Sequence, residues 1–386
     1  MSERKKILWL VSWYPGRHDM FDGDFIQRHA RAAAIFHDIH VIFVKESEMD
    51  TAVEEEWNYV TGLTEQLVYF KKPSGWFNRV RSNLSWKSIF QKAIDKYILK
   101  NGKPDLVHVH VPWKSGLLAL WTRKKYGLNF LVTEHWGIYN KTTPGNFFSL
   151  PVFAQQLLRK IYLEARSITT VSKYLASGVG SVTGRQVDRI IPNVVDTTLF
   201  FHKEEKYSKF TFIHVSNMVS LKNAGSILEA FQKLAGHHPG HELQLVMVGN
   251  RNDQFVKQAA ELGLLNVSVF FRGEIPYTEV AEEMKRSHCL VIFSDSETFS
   301  CVTAEALCCG LPVIAANVGA LPEMVSNYNG RLVTPGNIED LVNAMEEVWK
   351  NFASFDSRQI AMDHAARFGY PAIAAQFDSF YKDIKD

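Results

Sequence analysis

The chain of 386 residues lacks several features that would indicate whole classes of proteins. It has four cysteines (Cys289, Cys301, Cys308 and Cys309) without CxxC spacing, so neither a disulfide framework nor a zinc site is expected. No run of about 18 apolar residues predicts a membrane span. The net charge of +2 offers no strong field, so we expect no nucleic-acid partner. The N-terminal sequence MSERKKILWLVSW predicts a first β-strand and shows no leader peptide with a cleavage site. We therefore expect a cytoplasmic protein whose cysteines are reduced.

The length and composition favour a globular enzyme of two domains. The chain is 46% hydrophobic and 22% charged, and it is too long for one ordinary core. Strand-like runs such as KILWLVSW, IHVIFVK and FLVTEHW alternate with helix-like stretches such as FIQRHARAAAIF. The alternation restarts with FTFIHVSN, LQLVMVGN and CLVIFSD. This pattern predicts two doubly wound α/β domains with mostly parallel sheets.

The domain boundary is predicted near residues 192–208, where turn-forming and charged residues separate the two series of strands. We expect an N-terminal domain over 1–195, a second domain over 196–367, and a helix over 368–386 that packs back on the first domain. Doubly wound sheets bind ligands beyond the carboxyl ends of their strands. The sequence therefore predicts an active site between two facing domains.

The segment SDSETFSCVTAEALCCGLPVIAA holds two acids eight positions apart, Glu297 and Glu305. Glu297 is predicted in a loop after a strand, and Glu305 on the helix that begins near Ser300. The backbone N–H groups of Phe299, Ser300 and Cys301 would form an anion site at the helix start. This arrangement suits the hydroxyls and diphosphate of a nucleotide-sugar. The alternative is that Glu297 caps a helix and Glu305 is a surface residue.

The same segment resembles the signature region of the retaining GT-B glycosyltransferases of glycosyltransferase family 4. The matching pieces are the E-x7-E pair, EALCCGLPVIA, GALPE and NGRLVTPGN, and upstream IPNVVDTTLF, TEHWGIY and WYPGRHDMFDGDFIQRHARAA. The resemblance runs in order through nearly the whole chain. It implies a GT-B fold of two Rossmann-like domains and retaining transfer of a sugar from a nucleotide-diphosphate donor.

The resemblance also implies roles for particular residues of the second domain. Glu305 would bind the donor ribose, and Glu297 would contact the donor sugar with help from the amides at Phe299–Cys301. Lys222 would neutralise the diphosphate. Asn217 stands where the family has an arginine, so one cationic side chain that would contact the donor phosphates is missing. Another cation could compensate, and Arg272 is an outside candidate.

Further residues are predicted to border the donor or acceptor. Gly273, Glu274 and Ile275 would lie around the nucleotide base. In the first domain the resemblance places His135 on the donor sugar and Gly23 beside the phosphates or the acceptor. Asp24 is predicted as the N-cap of the helix that follows. His108 and His110 alternate on one strand without an evident third ligand, so they are interpreted as structural, and we expect no metal or other cofactor.

The acceptor is the least determined partner. Residues 71–103 carry nine Lys/Arg and one acid, Asp95, with Trp76, Phe77, Trp86 and Phe90 interleaved. Such a segment indicates either a peripheral membrane contact on the inner face of the membrane or a solvated basic helix. A saccharide or lipid-linked acceptor is therefore expected. Two other functions stay open: a non-catalytic nucleotide-sugar binder, and a nucleotide-sugar epimerase.

Overall fold

The computed structural model describes residues 4–140, 143, 145–240, 242–250 and 252–384. The chain forms two compact units, of which the first comprises 1–194 together with 370–386 and the second comprises 195–369. In the part that the structure describes, no helix is both long and apolar enough to cross a membrane. All four cysteines are free thiols.

The first unit is built on an eight-stranded sheet with the order β3-β4-β2-β1-β5-β6-β7-β8. Its strands are β1 (Lys6–Val11), β2 (Asp38–Ser47), β3 (Val53–Val60), β4 (Leu63–Lys71), β5 (Leu106–His110), β6 (Phe130–Glu134), β7 (Ser167–Thr170) and β8 (Arg189–Ile190). Every pairing is parallel except that of β3 with β4. The central strands β1, β5 and β6 are almost entirely buried, as expected where helices cover both faces of a parallel sheet.

The helices of the first unit include one from the end of the chain. They are α1 (Asp24–Ala33), α2 (Asn78–Asn101), α3 (Pro112–Tyr126), α4 (Val152–Glu164), α5 (Lys173–Thr183) and α12 (Tyr370–Asp383). Helix α12 buries Phe377 and Tyr381 in the same core cluster as Trp9 of β1 and Ile26 of α1. The C-terminal helix therefore packs on the first unit, as predicted.

The second unit has a fully parallel six-stranded sheet with the order β11-β10-β9-β12-β13-β14. Its strands are β9 (Phe210–Val215), β10 (Leu243–Val248), β11 (Val269–Gly273), β12 (Cys289–Ile292), β13 (Val313–Ala316) and β14 (Gly330–Val333). Its helices are α6 (Ala224–His237), α7 (Asp253–Glu261), α8 (Tyr277–Arg286), α9 (Cys301–Cys308), α10 (Ile338–Lys350) and α11 (Ser357–Phe368). The prediction of two doubly wound α/β units is confirmed.

Two local predictions need correction. Helix α1 is preceded by Gly23 as its N-cap, with φ of 71°, so the prediction that Asp24 caps the helix is wrong. Asp24 instead lies in the first turn and forms an ion pair with Arg28 at 3.0 Å. In the basic segment, Trp86 and Phe90 are buried rather than presented at the surface, and the Trp86 indole donates to the Val44 carbonyl at 3.0 Å.

Candidate active site

The loop that follows β12 carries a buried carboxylate with a cationic partner. Glu297 is 9% exposed, and its Oε1 accepts hydrogen bonds from Lys222 Nζ at 2.6 Å and from Ser294 Oγ at 2.9 Å. Lys222 ends a short 3-10 turn, Ser220–Lys222, after β9. Because parallel strands end at the same edge of a sheet, these two loops meet there. The structure thus brings together two of the predicted site residues.

A glycine turn holds the Glu297 loop in place. Gly319 has a φ of 56°, and a Cβ atom added there would lie 2.1 Å from the Glu297 carbonyl oxygen. The N–H of Ala320 donates to that same carbonyl at 3.0 Å. Only glycine permits both the positive φ and the close approach. The GALPE sequence therefore supports the backbone of the acidic loop.

Helix α9 begins directly after this loop. Its N-cap, Ser300, adopts φ of 69° and ψ of 82°, which a residue with a side chain rarely does, and its hydroxyl lies 2.9 Å from Thr303 Oγ1. Phe299 is buried and packs edge-on against Phe368 at 5.6 Å between ring centroids. Cys301 is the first helical residue. The packing of Phe299 fixes the backbone amides at a helix N-terminus, where an anion is favoured.

Glu305 lies on the inner face of α9 and is 3% exposed, so it is not the surface residue that the alternative interpretation required. The hydroxyl of Tyr277, at the start of α8, donates to Glu305 Oε1 at 2.5 Å. Tyr277 in turn packs against Phe200 with centroids 5.0 Å apart. A buried carboxylate oriented by a tyrosine is suited to accept hydrogen bonds from vicinal hydroxyls.

Arg272, the candidate replacement for the missing family arginine, is paired with an acid of α8. Asn217 is exposed at the mouth of a cavity of about 660 Å³ in the second unit. Arg272 Nε instead forms an ion pair with Glu283 Oε1 at 3.0 Å. The expectation that Arg272 compensates is therefore weakened, since its charge is already balanced.

The loop after β11 is open where a ligand could approach. Gly273 has a φ of 72°, and no heavy atom lies within 4 Å of the position that its Cβ would take. Its carbonyl accepts from the N–H of Gly249 at 2.9 Å. Glu274 is exposed and Ile275 is partly buried. The glycine is required here by its φ, and the free space beside it leaves room for a planar group.

In the first unit, His135 follows β6 and is 5% exposed. Its Nε2 lies 3.2 Å from Nδ1 of His110, and the ring contacts Phe25 with centroids 4.9 Å apart. Burial lowers the pKa of His135 and of His110 well below the usual range, so both imidazoles are neutral. A neutral His135 can donate or accept a hydrogen bond but carries no charge.

Sequence reasoning missed the carboxylate that positions His135. Glu134 Oε1 accepts from the N–H groups of His135 and Trp136, each at 2.8 Å, and Oε2 accepts from Tyr139 at 2.7 Å and from Tyr162. Burial raises the pKa of Glu134 even though these bonds favour its charged form. The only signal in the sequence was an acid at the end of an apolar strand.

Gly23 supports the first loop of this unit. A Cβ atom there would lie 2.6 Å from the carbonyl carbon of Trp13. The close approach and the positive φ both require glycine. The predicted contact of Gly23 with phosphates or acceptor stays a prediction.

The interpretation of His108 and His110 without a third ligand is corrected by His29 of α1. One ring nitrogen from each of His29, His110 and His135 lies within 4.8 Å of the others. His29 Nε2 is bonded to the Pro192 carbonyl at 2.8 Å, which leaves its Nδ1 without a partner. Neutral imidazoles in this arrangement could hold a transition-metal ion. His108 bonds instead to Tyr381 and Thr133 at 2.8 and 2.7 Å.

Two family models match the chain. The model for glycosyl transferases group 1 matches residues 196–367, and that for glycosyltransferase family 4 matches residues 25–199. Together the two matches run from the first turn of α1 to the last turn of α11. The chain belongs to glycosyltransferase family 4.

Two curated relatives of this family 4 protein are 25% and 30% identical to it over the segments that align. A D-inositol 3-phosphate glycosyltransferase of Paenarthrobacter aurescens is 25% identical over 308 residues, 74% of each chain. The same-named protein of Corynebacterium kroppenstedtii is 30% identical over 182 residues, 44% of this chain but only 39% of that protein. Its match thus spans well under half of the relative.

Solved structures establish the fold. A sucrose-phosphate synthase from Thermosynechococcus elongatus superimposes with a TM-score of 0.76, at 20% identity, and the match covers 98% of both chains. The Anabaena protein HepE, solved in complex with UDP, gives a TM-score of 0.71 at 17% identity, with 98% of this chain and 100% of that chain covered. The GT-B fold predicted from the sequence is confirmed.

Proposed function

We propose that this family 4 glycosyltransferase moves a hexose from a UDP- or GDP-sugar to a saccharide or lipid-linked saccharide of the cell envelope, with retention at the anomeric carbon. The observation that carries the proposal is the ion pair of the buried Glu297 with the partly buried Lys222, 2.6 Å apart, in front of the helix that bears Glu305. These are the residues that the family resemblance assigns to the donor.

Each residue has a role in the proposal. Glu305 accepts from the ribose hydroxyls, while Glu297 contacts the transferred sugar. Lys222 uses one N–H on Glu297 and keeps two for the donor diphosphate. The amides at Phe299–Cys301 and the dipole of α9 supply further positive potential, with Asn217 as a neutral donor. Gly273, Glu274 and Ile275 border the base, and His135 hydrogen-bonds the sugar.

The proposed reaction needs no protein base. The bond between the anomeric carbon and the diphosphate oxygen breaks, and the acceptor oxygen attacks the same face. The acceptor proton passes to the departing phosphate. Lys222 and the α9 amides stabilise the charge that develops on the leaving nucleotide, so no metal is required in this scheme.

Glu297→Ala tests the proposal because it removes the sugar contact and leaves the nucleotide contacts. We expect transfer to be lost while UDP or GDP binding stays measurable by calorimetry. Glu261→Ala, which removes an exposed acid that pairs with Lys257 at 3.7 Å, is the control and should keep full activity. Unchanged turnover in Glu297→Ala would overturn the assignment. Thermal stabilisation by a panel of UDP- and GDP-sugars would identify the donor.

A non-catalytic nucleotide-sugar binder is the second candidate, favoured by Asn217 and by the pairing of Arg272 with Glu283. A binder would be stabilised by a donor sugar but would release no nucleotide with any acceptor. An epimerase would convert the donor sugar without transfer. An assay that follows both nucleotide release and the identity of the sugar separates the three functions.

We also propose a peripheral membrane contact within residues 71–103. Trp76 is fully exposed, and Phe77, Val80 and Leu84 are 74%, 57% and 63% exposed at the start of α2. Exposed apolar side chains among lysines and arginines suit an anionic membrane surface. Wild-type protein should sediment with anionic liposomes at low salt, and Trp76→Ala/Phe77→Ala should reduce sedimentation. No sedimentation of the wild type would remove this contact.

A further inference from the structure

A cavity of about 460 Å³ lies entirely within the first unit. Its walls come from the residues just after β1, the ends of β2 and β4, and the first turns of α2. Trp13 and Trp86 form apolar parts of the wall, and Phe70 another. The cavity thus sits at the carboxyl edge of the sheet, where doubly wound units bind ligands.

The charged residues of the wall leave an excess of positive charge. Four cations line the cavity (Lys45, Lys72, Arg79 and Lys114), against two acids, Asp22 and Glu46. Lys45 is balanced by Asp22 at 2.8 Å, and Glu46 is held by the Ser82 hydroxyl. The remaining cations are therefore the ones available to a ligand.

Lys114 and Arg79 have no carboxylate partner within the described ranges. Lys114 Nζ lies 3.3 Å from the amide oxygen of Asn83, which is neutral. Lys72 has only a distant contact, 3.9 Å, with Glu48, itself 90% exposed. Lys72, Arg79 and Lys114 therefore outnumber the one remaining carboxylate of the wall, Glu46. Such an excess of positive charge favours an anion, and a phosphate group accepts hydrogen bonds from several cations at once.

The first turn of α2 adds to this potential. The helix has 24 residues, no acid in its first turn, and no side-chain cap on its N-cap Phe77. Asn78 and Arg79 of that turn line the cavity. The positive end of the helix dipole therefore points to the same place as the unbalanced cations.

The cavity borders the histidine that the proposed function places on the sugar. Trp13 meets Trp136 edge-on with centroids 5.8 Å apart, and Trp136 follows His135 directly. Asp22 precedes Gly23 at the start of α1. A group held in the cavity would thus lie beside the reacting part of an acceptor.

We propose that this cavity binds a phosphate or diphosphate group of the acceptor, so that the acceptor is a phosphorylated saccharide. The assignment of this phosphate to an acceptor rests on the proposed function, whereas binding of a phosphate in the cavity can be tested without it. The phosphate has two sources: a soluble sugar phosphate, or a lipid phosphate presented beside the exposed apolar residues at the start of α2.

The test uses the full-length chain and inorganic pyrophosphate as the probe, titrated with and without saturating UDP. The Arg79→Gln/Lys114→Gln variant should weaken pyrophosphate binding about tenfold or more, because two charge-assisted contacts are lost. Lys87→Gln/Lys92→Gln removes the same charge from exposed positions of α2 outside the cavity and should bind like the wild type.

Equal pyrophosphate affinity in the two double variants would overturn the proposal, as would a wild type that binds no pyrophosphate once UDP is present. The affinity for UDP is measured separately in each protein. A wild type that does not bind UDP would count against the proposed donor site alone.

A comparison of vesicles that contain a polyprenyl phosphate with vesicles that contain the uncharged polyprenol distinguishes the two sources of the phosphate. Preference for the phosphate vesicles, lost in Arg79→Gln/Lys114→Gln, supports a lipid phosphate. Pyrophosphate binding without that preference supports a soluble sugar phosphate.

Discussion

The candidate donor-binding side chains of the second unit include charged groups, whereas the histidine that the first unit is proposed to place on the sugar is neutral. In the second unit Glu297 is balanced by Lys222, and Glu305 is buried against a tyrosine hydroxyl. In the first unit His135 lies among other histidines whose charge burial suppresses. A charged pair suits a donor diphosphate, while a neutral histidine suits directed hydrogen bonds to a sugar. In the proposed function, this chain thus divides charge stabilisation and sugar orientation between two similar folds.

As the pH falls, the first unit should lose folding stability before the second. Five buried histidines with lowered pKa lie in the described part of the first unit (His29, His37, His108, His110 and His135), against two, His214 and His364, in that of the second. Burial lowers the pKa to about 4 for His29 and to about 3 for His108. Below about pH 6.5 these histidines bind protons in the unfolded chain but not in the folded one. The free energy of unfolding therefore decreases as the pH falls below that value.

Each such histidine lowers the free energy of unfolding by about 1.4 kcal/mol for every pH unit below 6.5, until the pH reaches its pKa in the folded state. Hydrogen exchange followed by mass spectrometry at pH 7 and pH 5 measures the two units separately. We expect protection to fall mainly in peptides of the first unit. Equal loss in both units would contradict the contrast between them.

Lys222→Gln should reduce turnover on the order of 100- to 1,000-fold, since it removes a charge aimed at the leaving group. The donor affinity of this variant should also depend less on salt. Lys257→Gln, at an exposed position of α7, removes the same charge and should leave turnover unchanged. A Lys222→Gln enzyme within a factor of two of the wild type would mean that the charged pair is structural.

His135→Gln should reduce turnover about fivefold, because one neutral hydrogen bond contributes about 1 kcal/mol. The effect should not vary with salt, in contrast to that of Lys222→Gln. His237→Gln, at an exposed position, serves as the control. A loss as large and as salt-dependent as that of Lys222→Gln would break the proposed division between the units.

Tyr277→Phe should weaken nucleotide affinity about threefold to tenfold, because Glu305 loses the hydroxyl that orients it. Tyr207→Phe removes a comparable hydroxyl, 2.8 Å from Glu283, and should leave affinity unchanged. Calorimetric titration with UDP and GDP measures both. Equal affinities in the two variants would argue against a role for Glu305 in binding the nucleotide.

A chelator should have no effect on transfer. The proposed mechanism relies on Lys222 and the α9 amides, so treatment with EDTA followed by gel filtration should leave turnover as it was. If turnover falls and Zn²⁺ restores it, the cluster of His29, His110 and His135 would be a functional metal site. The first unit would then contribute a metal charge at these histidines rather than neutral imidazoles.

The fold was predictable because its central strands are mostly apolar segments of strand length and its motif loops follow them in order. The hairpin of β3 and β4 was not predicted, since VEEEWNYV has three consecutive glutamates and no regular alternation, and it forms a largely exposed edge strand of the sheet. Gly319 and Gly23 were visible as motif glycines, but the carbonyl groups that exclude a side chain there were not.

In the site, Glu297, Lys222 and Glu305 could be predicted as a set because they are carried by local motifs. His29 and Glu134 were missed because their importance depends on contacts between distant segments. His29 comes from a helix 106 residues before His135, and its approach depends on how α1 packs on the sheet. Contacts of that kind leave no periodic signal in one sequence.

The proposed donor site is tested most directly by a crystal structure with an intact UDP- or GDP-sugar. The account predicts the Glu305 carboxylate within hydrogen-bond distance of the ribose hydroxyls, Glu297 on the hexose, and Lys222 on the diphosphate. A donor bound elsewhere, or in contact with neither acid, would contradict it.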